Sequence, residues 1–222
     1  MNHFAEELRA LIEATENEEI RCRGYLQHVR PFLFREAVLE YTYVETEYIV
    51  HTGRSDYVIS ARVRDETGLE YVKAYVWELK APQCFMFEHD TENRVKPSAE
   101  LSDAQNKLLH YFDEEKGSSD FHATFGVVHP DHVKLGGIII GSERTRVHGD
   151  YTEDKKRVLF EKARRIQDTY LYQAHGIRLV SWETVLDQLK PPHSVGETRQ
   201  IPAAGPLPVS PRPDVTKVES RP

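Results

Sequence analysis

The stretch of residues 56–80 constrains the fold more than any other part of the sequence, because it predicts a β-hairpin with a defined register. Its middle, residues 65–68 (DETG), is typical of a type I turn that ends in a left-handed glycine. Counting outward from that turn along the two strands places Asp56 opposite Glu78. The sequence therefore predicts that two carboxylates meet at the open end of this hairpin.

Both faces of the hairpin are largely apolar, as in a sheet that is covered by other elements on both sides. Lys80 shares a face with Asp56 and Glu78, since opposite residues and residues two apart point the same way. Such charges are costly inside a covered sheet unless something compensates them. Two facing carboxylates are hard oxygen ligands for a divalent ion such as Mg²⁺, and a lysine beside the ion would hold a phosphate or a water. The alternative is a solvated strand end with a surface ion pair.

The composition narrows the class of protein. A formal net charge of -7 argues against a protein that coats nucleic acid non-specifically, because such binding needs clustered Lys and Arg. An enzyme with a local basic groove is compatible with this net charge.

No apolar run is long enough to cross a membrane and the N-terminus lacks an apolar signal core, so we expect neither membrane insertion nor secretion. Cys22 and Cys84 predict reduced thiols in a cytoplasmic protein, with a single disulfide as the alternative.

Hydrophobic periodicity divides the chain into three parts. Residues 1–38 are predicted as an N-terminal helical region, residues 39–190 as one α/β domain, and residues 191–222 as a disordered tail that holds eight of the 12 prolines and no aromatic residue. The predicted elements are helices at 2–19, 100–115, 153–175 and 182–189, strands at 39–51, 121–128, 135–141 and 177–180, and a loop at 83–99. Gln105, on the second of these helices, is interpreted either as a partner of a buried backbone group or as a residue that orients a ligand phosphate.

Four stretches in this order resemble a known family. They are WELKAP (77–82), RVKPSAELSDAQNKLLHYF (94–112), GGIIIGSER (136–144) and HGIRLVSWETVLDQL (175–189), and the resemblance covers roughly residues 45–190. Together they are similar to the C-terminal nuclease domain of the Shedu antiphage defence proteins, within the PD-(D/E)xK nuclease superfamily. The sequence departs from that pattern where Ser55 replaces the proline of the superfamily's name, and where Gln105 and Tyr111 are six residues apart instead of the four seen in related nucleases.

The resemblance implies a restriction-endonuclease-like mixed sheet flanked by helices, and a Mg²⁺- or Mn²⁺-dependent endonuclease that cuts DNA in defence against phage or foreign DNA, often as a homo-oligomer. It implies Asp56 and Glu78 as metal ligands together with the backbone carbonyl of Leu79. It further implies that Lys80 orients the attacking water or stabilises developing charge, and that Gln105 is an accessory residue.

The sequence is compatible with two other functions. The first is a non-catalytic DNA- or protein-binding module that keeps the nuclease fold. The second is a transcription or DNA-maintenance factor that acts through the basic helix at 155–165. A metal site at Asp56 and Glu78 distinguishes the nuclease from both.

Overall fold

The structure is a computed structural model that describes residues 3–50 and 53–189. The tail predicted for residues 191–222 lies outside the described residues. The helices are α1 His3–Glu13, α2 Glu19–Arg23, α3 Ala99–Gly117, α4 Ser119–Phe125, α5 Glu153–Gln167, α6 Gln173–His175 and α7 Trp182–Leu189, with a π-helical turn at Asp168–Tyr172 between α5 and α6. The strands are β1 Ala37–Val50, β2 Gly53–Arg64, β3 Glu70–Leu79, β4 Phe87–Thr91, β5 Arg94–Pro97, β6 Val133–Ile139, β7 Val147–His148 and β8 Arg178–Val180.

The main sheet is mixed and has the strand order β1-β2-β3-β6-β8. Its first three strands run antiparallel to one another, whereas β6 and β8 run parallel to β3 and to each other. A smaller sheet, of order β5-β4-β7, forms beside it. Together with the helices packed on both faces, this is the α/β architecture with a mixed sheet that the sequence predicted.

The central hairpin of β2 and β3 has the predicted register. Tyr57 lies opposite Trp77, and the pairing continues without a shift to the last pair before the turn. In the turn, the backbone N–H of Asp65 donates to the Leu69 carbonyl at 3.0 Å, and Gly68 takes a φ of 88°. A left-handed φ of this size is unfavourable for residues other than glycine. The turn therefore fixes which side chains of β2 and β3 share a face.

Both faces of the hairpin are buried in separate apolar cores. On one face Trp77 packs with residues of α1 and α7, and on the other Val76 packs with residues of α3 and α4. The N-terminal region contributes Leu8 and Leu26 to the first core. The described residues accordingly belong to one compact unit, in which the N-terminal region shares the core of the sheet. No helix within the described ranges has the length and apolar character that crossing a membrane requires.

The strand predicted at 121–128 is wrong, because residues 121–125 belong to helix α4 and residues 126–128 lie in no strand. The side chain of Ser118 caps the helix by accepting from the N–H of Phe121 at 3.1 Å, and Gly126 ends it with a φ of 71°. Phe121 and Phe125 are buried on the same side of the helix, one turn apart. A short apolar run between a serine and a glycine fits both a buried strand and a capped helix. In this segment the two caps favour the helix.

Two further predictions need correction. The helix expected over residues 2–19 ends at Glu13, and a separate short helix, α2, begins at Glu19. The loop expected over residues 83–99 contains the hairpin of β4 and β5. The first correction matters most for function, because the break between α1 and α2 brings α2 to the charged end of the central hairpin.

Candidate active site

The carboxylates of Asp56 and Glu78 meet at the open end of the central hairpin, as the register requires. Glu78 is 1% exposed, and its Oε2 atom is buried without a hydrogen-bond partner. Burial, followed by the charge of Asp56, raises the pKa of Glu78 to about 9. Burial also raises the pKa of Asp56, against the effect of the Leu79 backbone N–H, which donates to Asp56 Oδ2 at 2.8 Å. The surroundings thus compensate two neighbouring carboxylate charges incompletely, and Glu78 retains its proton to a higher pH than an isolated glutamate does.

Lys80 supplies the cation of this cluster. Its Nζ lies 3.4 Å from Glu78 Oε1 and 3.1 Å from Asp103 Oδ2. Burial acts against the charged ammonium, but the charges of Glu78 and Asp103 outweigh it and raise the pKa of Lys80. The backbone around the lysine is fixed as well, because its N–H donates to the Ile139 carbonyl at 2.8 Å and its carbonyl accepts from Trp182 Nε1 at 2.7 Å. Lys80 is therefore a positioned and fully charged group.

Gln105 is not brought to this cluster. Its amide donates to the hydroxyl of Tyr172 at 2.5 Å, so its placement on α3 does not support the accessory role that the resemblance implied. Two residues of α3 that approach the cluster are Asp103, which contacts Lys80, and Lys107, whose Nζ lies 3.1 Å from the same Asp103 oxygen. The charges of Glu78 and Asp56 also act on Tyr111 of the same helix. Position 105 is about 200° around the helix from position 103, since each residue turns an α-helix by about 100°. An accessory role for Gln105 therefore stays a prediction, while Asp103 on another side of the helix contacts Lys80.

Leu79, the third ligand implied by the resemblance, has its side chain fully buried in the core. Its backbone N–H is bound to Asp56, which orients that carboxylate. A role for its carbonyl as a metal ligand stays a prediction.

Glu19, which the sequence did not single out, also faces the cluster. Burial and then the charge of Asp56 raise its pKa, while Lys80 and Arg23 lower it. Glu19 begins helix α2, where its N–H donates to the side chain of Asn17 at 3.1 Å. An Asn two residues before an amphipathic helical segment was the available signal, but residues 2–19 had been assigned to one continuous helix.

Helix α2 is tied to the sheet by an ion pair between Arg23 and Glu47, with 3.1 Å between Nη1 and Oε1. Glu47 lies across from Asp56 on β1, between the pairs Thr46–Tyr57 and Tyr48–Ser55. Its φ of 65° is unusual for a residue with a side chain. Strained backbone of this kind occurs preferentially at functional sites, and here it lies beside the carboxylate pair.

Gln83 fixes the segment between α1 and α2 against the end of β3. Its Nε2 donates to the carbonyls of Leu11 and Ala14 at 2.9 and 3.1 Å, and its Oε1 accepts from the N–H of Glu18 at 3.3 Å. These three bonds hold the start of α2, and with it Glu19, at the site.

Substitution of Gln83 by alanine is expected to lower the free energy of unfolding by about 1–3 kcal/mol, because it leaves partly buried backbone groups without partners. Urea denaturation measures this loss, and amide hydrogen exchange is expected to rise over residues 14–23. The matched control is Gln27→Ala, at an exposed position. Equal stability and equal exchange in the two variants would contradict a bracing role for Gln83.

The two carboxylates fit a divalent cation. Within the described ranges, no group of three or more His, Cys, Asp and Glu side chains stands in an arrangement that could hold a metal ion. A site here would consequently rest on Asp56 and Glu78 together with backbone or water oxygens. The unpartnered Oε2 of Glu78 and the unfavourable charge of the pair are both relieved when a cation binds between them.

The basic helix α5 is largely neutralised by neighbouring acids. Ion pairs join Lys156 to Glu153 at 2.9 Å and Arg157 to Asp154 at 3.4 Å, and further pairs involve Lys155 and Arg164. This pairing weakens the interpretation of α5 as the main nucleic-acid contact.

No family model matches the sequence, and a search of curated proteins also finds no match.

Proposed function

We propose that this protein is a metal-dependent DNA endonuclease of the PD-(D/E)xK type. The observation that carries the proposal is the convergence of Asp56, Glu78 and Lys80, in which a buried carboxylate oxygen lacks any partner. The predicted hairpin register required this convergence. A solvated strand end, the competing interpretation, does not account for a carboxylate that is 1% exposed.

In this proposal Asp56 and Glu78 hold Mg²⁺ or Mn²⁺, with the Leu79 carbonyl as a further ligand and Glu19 close by. The bound ion would polarise the scissile phosphate and lower the pKa of a bound water. The ion pair with Asp103 keeps Lys80 in place and charged, so that its ammonium stabilises negative charge on the phosphate and orients the attacking water. The raised pKa of Lys80 favours this electrostatic role over that of a general base.

The restriction-endonuclease-like fold, the defence setting and the homo-oligomeric assembly are supported by the resemblance of four stretches of sequence. The order of elements is compatible with that fold. A helix (α1), three antiparallel strands (β1–β3), a helix (α3) and a strand parallel to β3 (β6) occur in this order, with shorter elements between them. Asp56, Glu78 and Lys80, at the charged end of the central hairpin, are the residues to which the resemblance gives catalytic roles.

The test is a cleavage assay with the full chain on supercoiled, linear and single-stranded DNA. We expect nicked or cut products with Mg²⁺ or Mn²⁺, and none when EDTA is added. Calorimetric titration with Mn²⁺ separates this function from the alternative, a non-catalytic DNA- or protein-binding module. Absence of both cleavage and Mn²⁺ binding would favour that module.

A further inference from the structure

A cavity of about 490 Å³ opens beside β8, on elements that do not form the charged end of the hairpin. Its walls include the aromatic ring of Phe32 and the apolar side chain of Ile177. Three arginines line it, namely Arg35, Arg164 and Arg178. No residue that lines the cavity belongs to the proposed catalytic cluster, so an inference about it stands independently of the nuclease proposal.

The cavity carries an excess of positive charge. Asp168 is its one lining carboxylate among the described residues, and it accepts from Arg164 Nε at 3.5 Å. Within residues 3–50 and 53–189, neither Arg35 nor Arg178 forms an ion pair with a carboxylate. The cavity is therefore lined by three guanidinium groups and one carboxylate. The two positive charges without a carboxylate partner are those of Arg35 and Arg178.

Arg178 is held in place but poorly compensated. Its Nη1 donates to the Phe32 carbonyl at 2.7 Å, and its guanidinium stacks on the rings of Trp77 and Phe32 at 4.5 and 5.1 Å. Its Nε and Nη2 are buried without a partner, as is Nε1 of Trp77. Burial and then the charge of Arg35 lower the pKa of Arg178 to about 10, while Tyr75 and Glu36 act in the opposite direction.

Glu36 does not fill the missing role, because its carboxylate is bound by Lys73 and by the hydroxyl of Tyr75 at 2.7 Å. Arg35 donates to the Gly176 carbonyl. The residue is exposed, so its other N–H groups are accessible to a ligand. A buried guanidinium without a carboxylate partner costs free energy, and an anion bound in the cavity offsets its charge. The chemistry of the cavity is thus that of an anion site.

We propose that this pocket binds a phosphate monoester of the size of a nucleoside 5′-monophosphate. A phosphate monoester carries close to two negative charges at neutral pH, which match the two uncompensated arginines. Guanidinium groups bind phosphate oxygens in pairs, and the volume and the apolar wall of Phe32 and Ile177 accommodate a nucleoside. Arg35, at an exposed position, donates to the phosphate, and Arg178, whose Nε and Nη2 are shielded from solvent, contributes its positive charge to the site.

The phosphate monoester has two sources, a free nucleotide or the 5′ end of a nucleic-acid strand. Calorimetry on the full chain in EDTA distinguishes them, with a nucleoside 5′-monophosphate, the nucleoside that lacks phosphate, and oligonucleotides with a 5′-phosphate or a 5′-hydroxyl as probes. We expect saturable binding of at least one of the two phosphate monoesters. The matching compound without the phosphate is expected to bind at least about tenfold more weakly.

Arg35→Gln and Arg178→Met are each expected to weaken binding at least about tenfold, since each removes a charged donor. The control is Arg157→Gln, an arginine of α5 that is 61% exposed and is expected to leave affinity unchanged. Arg178 stacks on Trp77 in the core, whereas Arg35 is exposed. If Arg178→Met fails to fold, Arg35→Gln therefore carries the test. The proposal is overturned if neither monoester binds saturably, or if Arg35→Gln binds as tightly as the unsubstituted protein.

Discussion

Replacement of Glu78 by glutamine is expected to abolish metal-dependent DNA cleavage and at the same time to stabilise the fold at neutral pH. The expected loss of cleavage is at least about 10²-fold, the size of losing one electrostatic contact in a transition state. The amide has the shape of the carboxyl group but no charge, so Asp56 is left as the single carboxylate of the pair. An activity loss combined with a stability gain is the signature of a residue kept for function.

The gain in stability follows from the environment of Glu78. The side chain is 1% exposed, and burial and the charge of Asp56 raise its pKa to about 9. At pH 7.5 the unfolded protein ionises this group freely, whereas the folded protein must keep it protonated or bury its charge. The glutamine variant avoids both costs, and its amide is able to donate to Asp56. Urea denaturation without metal is expected to show an increase of about 1–3 kcal/mol.

Lys80→Met is the informative companion to this variant. It is also expected to abolish cleavage, but it should destabilise the fold, because the ammonium offsets the charges of Glu78 and Asp103. The control is Glu66→Gln in the exposed hairpin turn, which is expected to change neither property. Full cleavage by Glu78→Gln would overturn the nuclease assignment at this site, and an equal loss of stability in both variants would contradict the electrostatic account.

The central hairpin was predictable because its information is local. Asp65 accepts from the N–H groups of Thr67 and Leu69 at 2.9 and 3.1 Å, and Gly68 supplies the left-handed residue, so four consecutive residues set the turn. Once the turn is set, the period of two along each strand dictates which residues meet. The pairing of Asp56 with Glu78 follows from this geometry alone.

Residues brought to the site over long distances in sequence were not predictable in the same way. Glu19 reaches Asp56 because Gln83 binds the backbone of residues 11–18, a contact between positions more than sixty residues apart. The contact between α3 and the charged end of the hairpin was not predictable for a related reason. Both Gln105 and Asp103 flank the apolar stripe, and only the position of Lys80 in space decides that Asp103 faces the hairpin. Hydrophobic periodicity identifies a helix and its buried side, but it does not show which polar residues of that helix face a particular strand.

Glu115 is the second buried carboxyl group whose substitution should have a large effect. It is 0% exposed, and its Oε1 accepts from the hydroxyl of Ser55, the residue before Asp56, while its Oε2 has no partner. Burial raises its pKa to about 8, against the opposing effect of the Ser55 hydrogen bond. The group thus resembles Glu78 in burial, but it lies on α3, bonded to Ser55, and has no part in the proposed chemistry.

Glu115→Gln is expected to stabilise the protein by an amount that grows with pH. Between the ordinary value of 4.5 and about 8, the folded protein binds a proton at Glu115 that the unfolded protein has released. The unfolding free energy of the unsubstituted protein therefore falls as pH rises through this window, by at most about 1.4 kcal/mol per pH unit from this group. The variant lacks this loss, so its advantage is expected to be near zero at pH 4.5 and a few kcal/mol at pH 8.

Urea denaturation of both proteins at pH 5 and pH 8 measures this difference. The contribution of Glu78 is common to the two proteins and cancels, and Glu66→Gln is expected to follow the unsubstituted protein at both pH values. Glutamine keeps an oxygen that accepts from the Ser55 hydroxyl, so the difference in stability between the two proteins reports the protonation of Glu115. Parallel stability curves for Glu115→Gln and the unsubstituted protein would show that Glu115 is ionised in the folded state. A local cation or a water path to Oε2 would then have to compensate its charge.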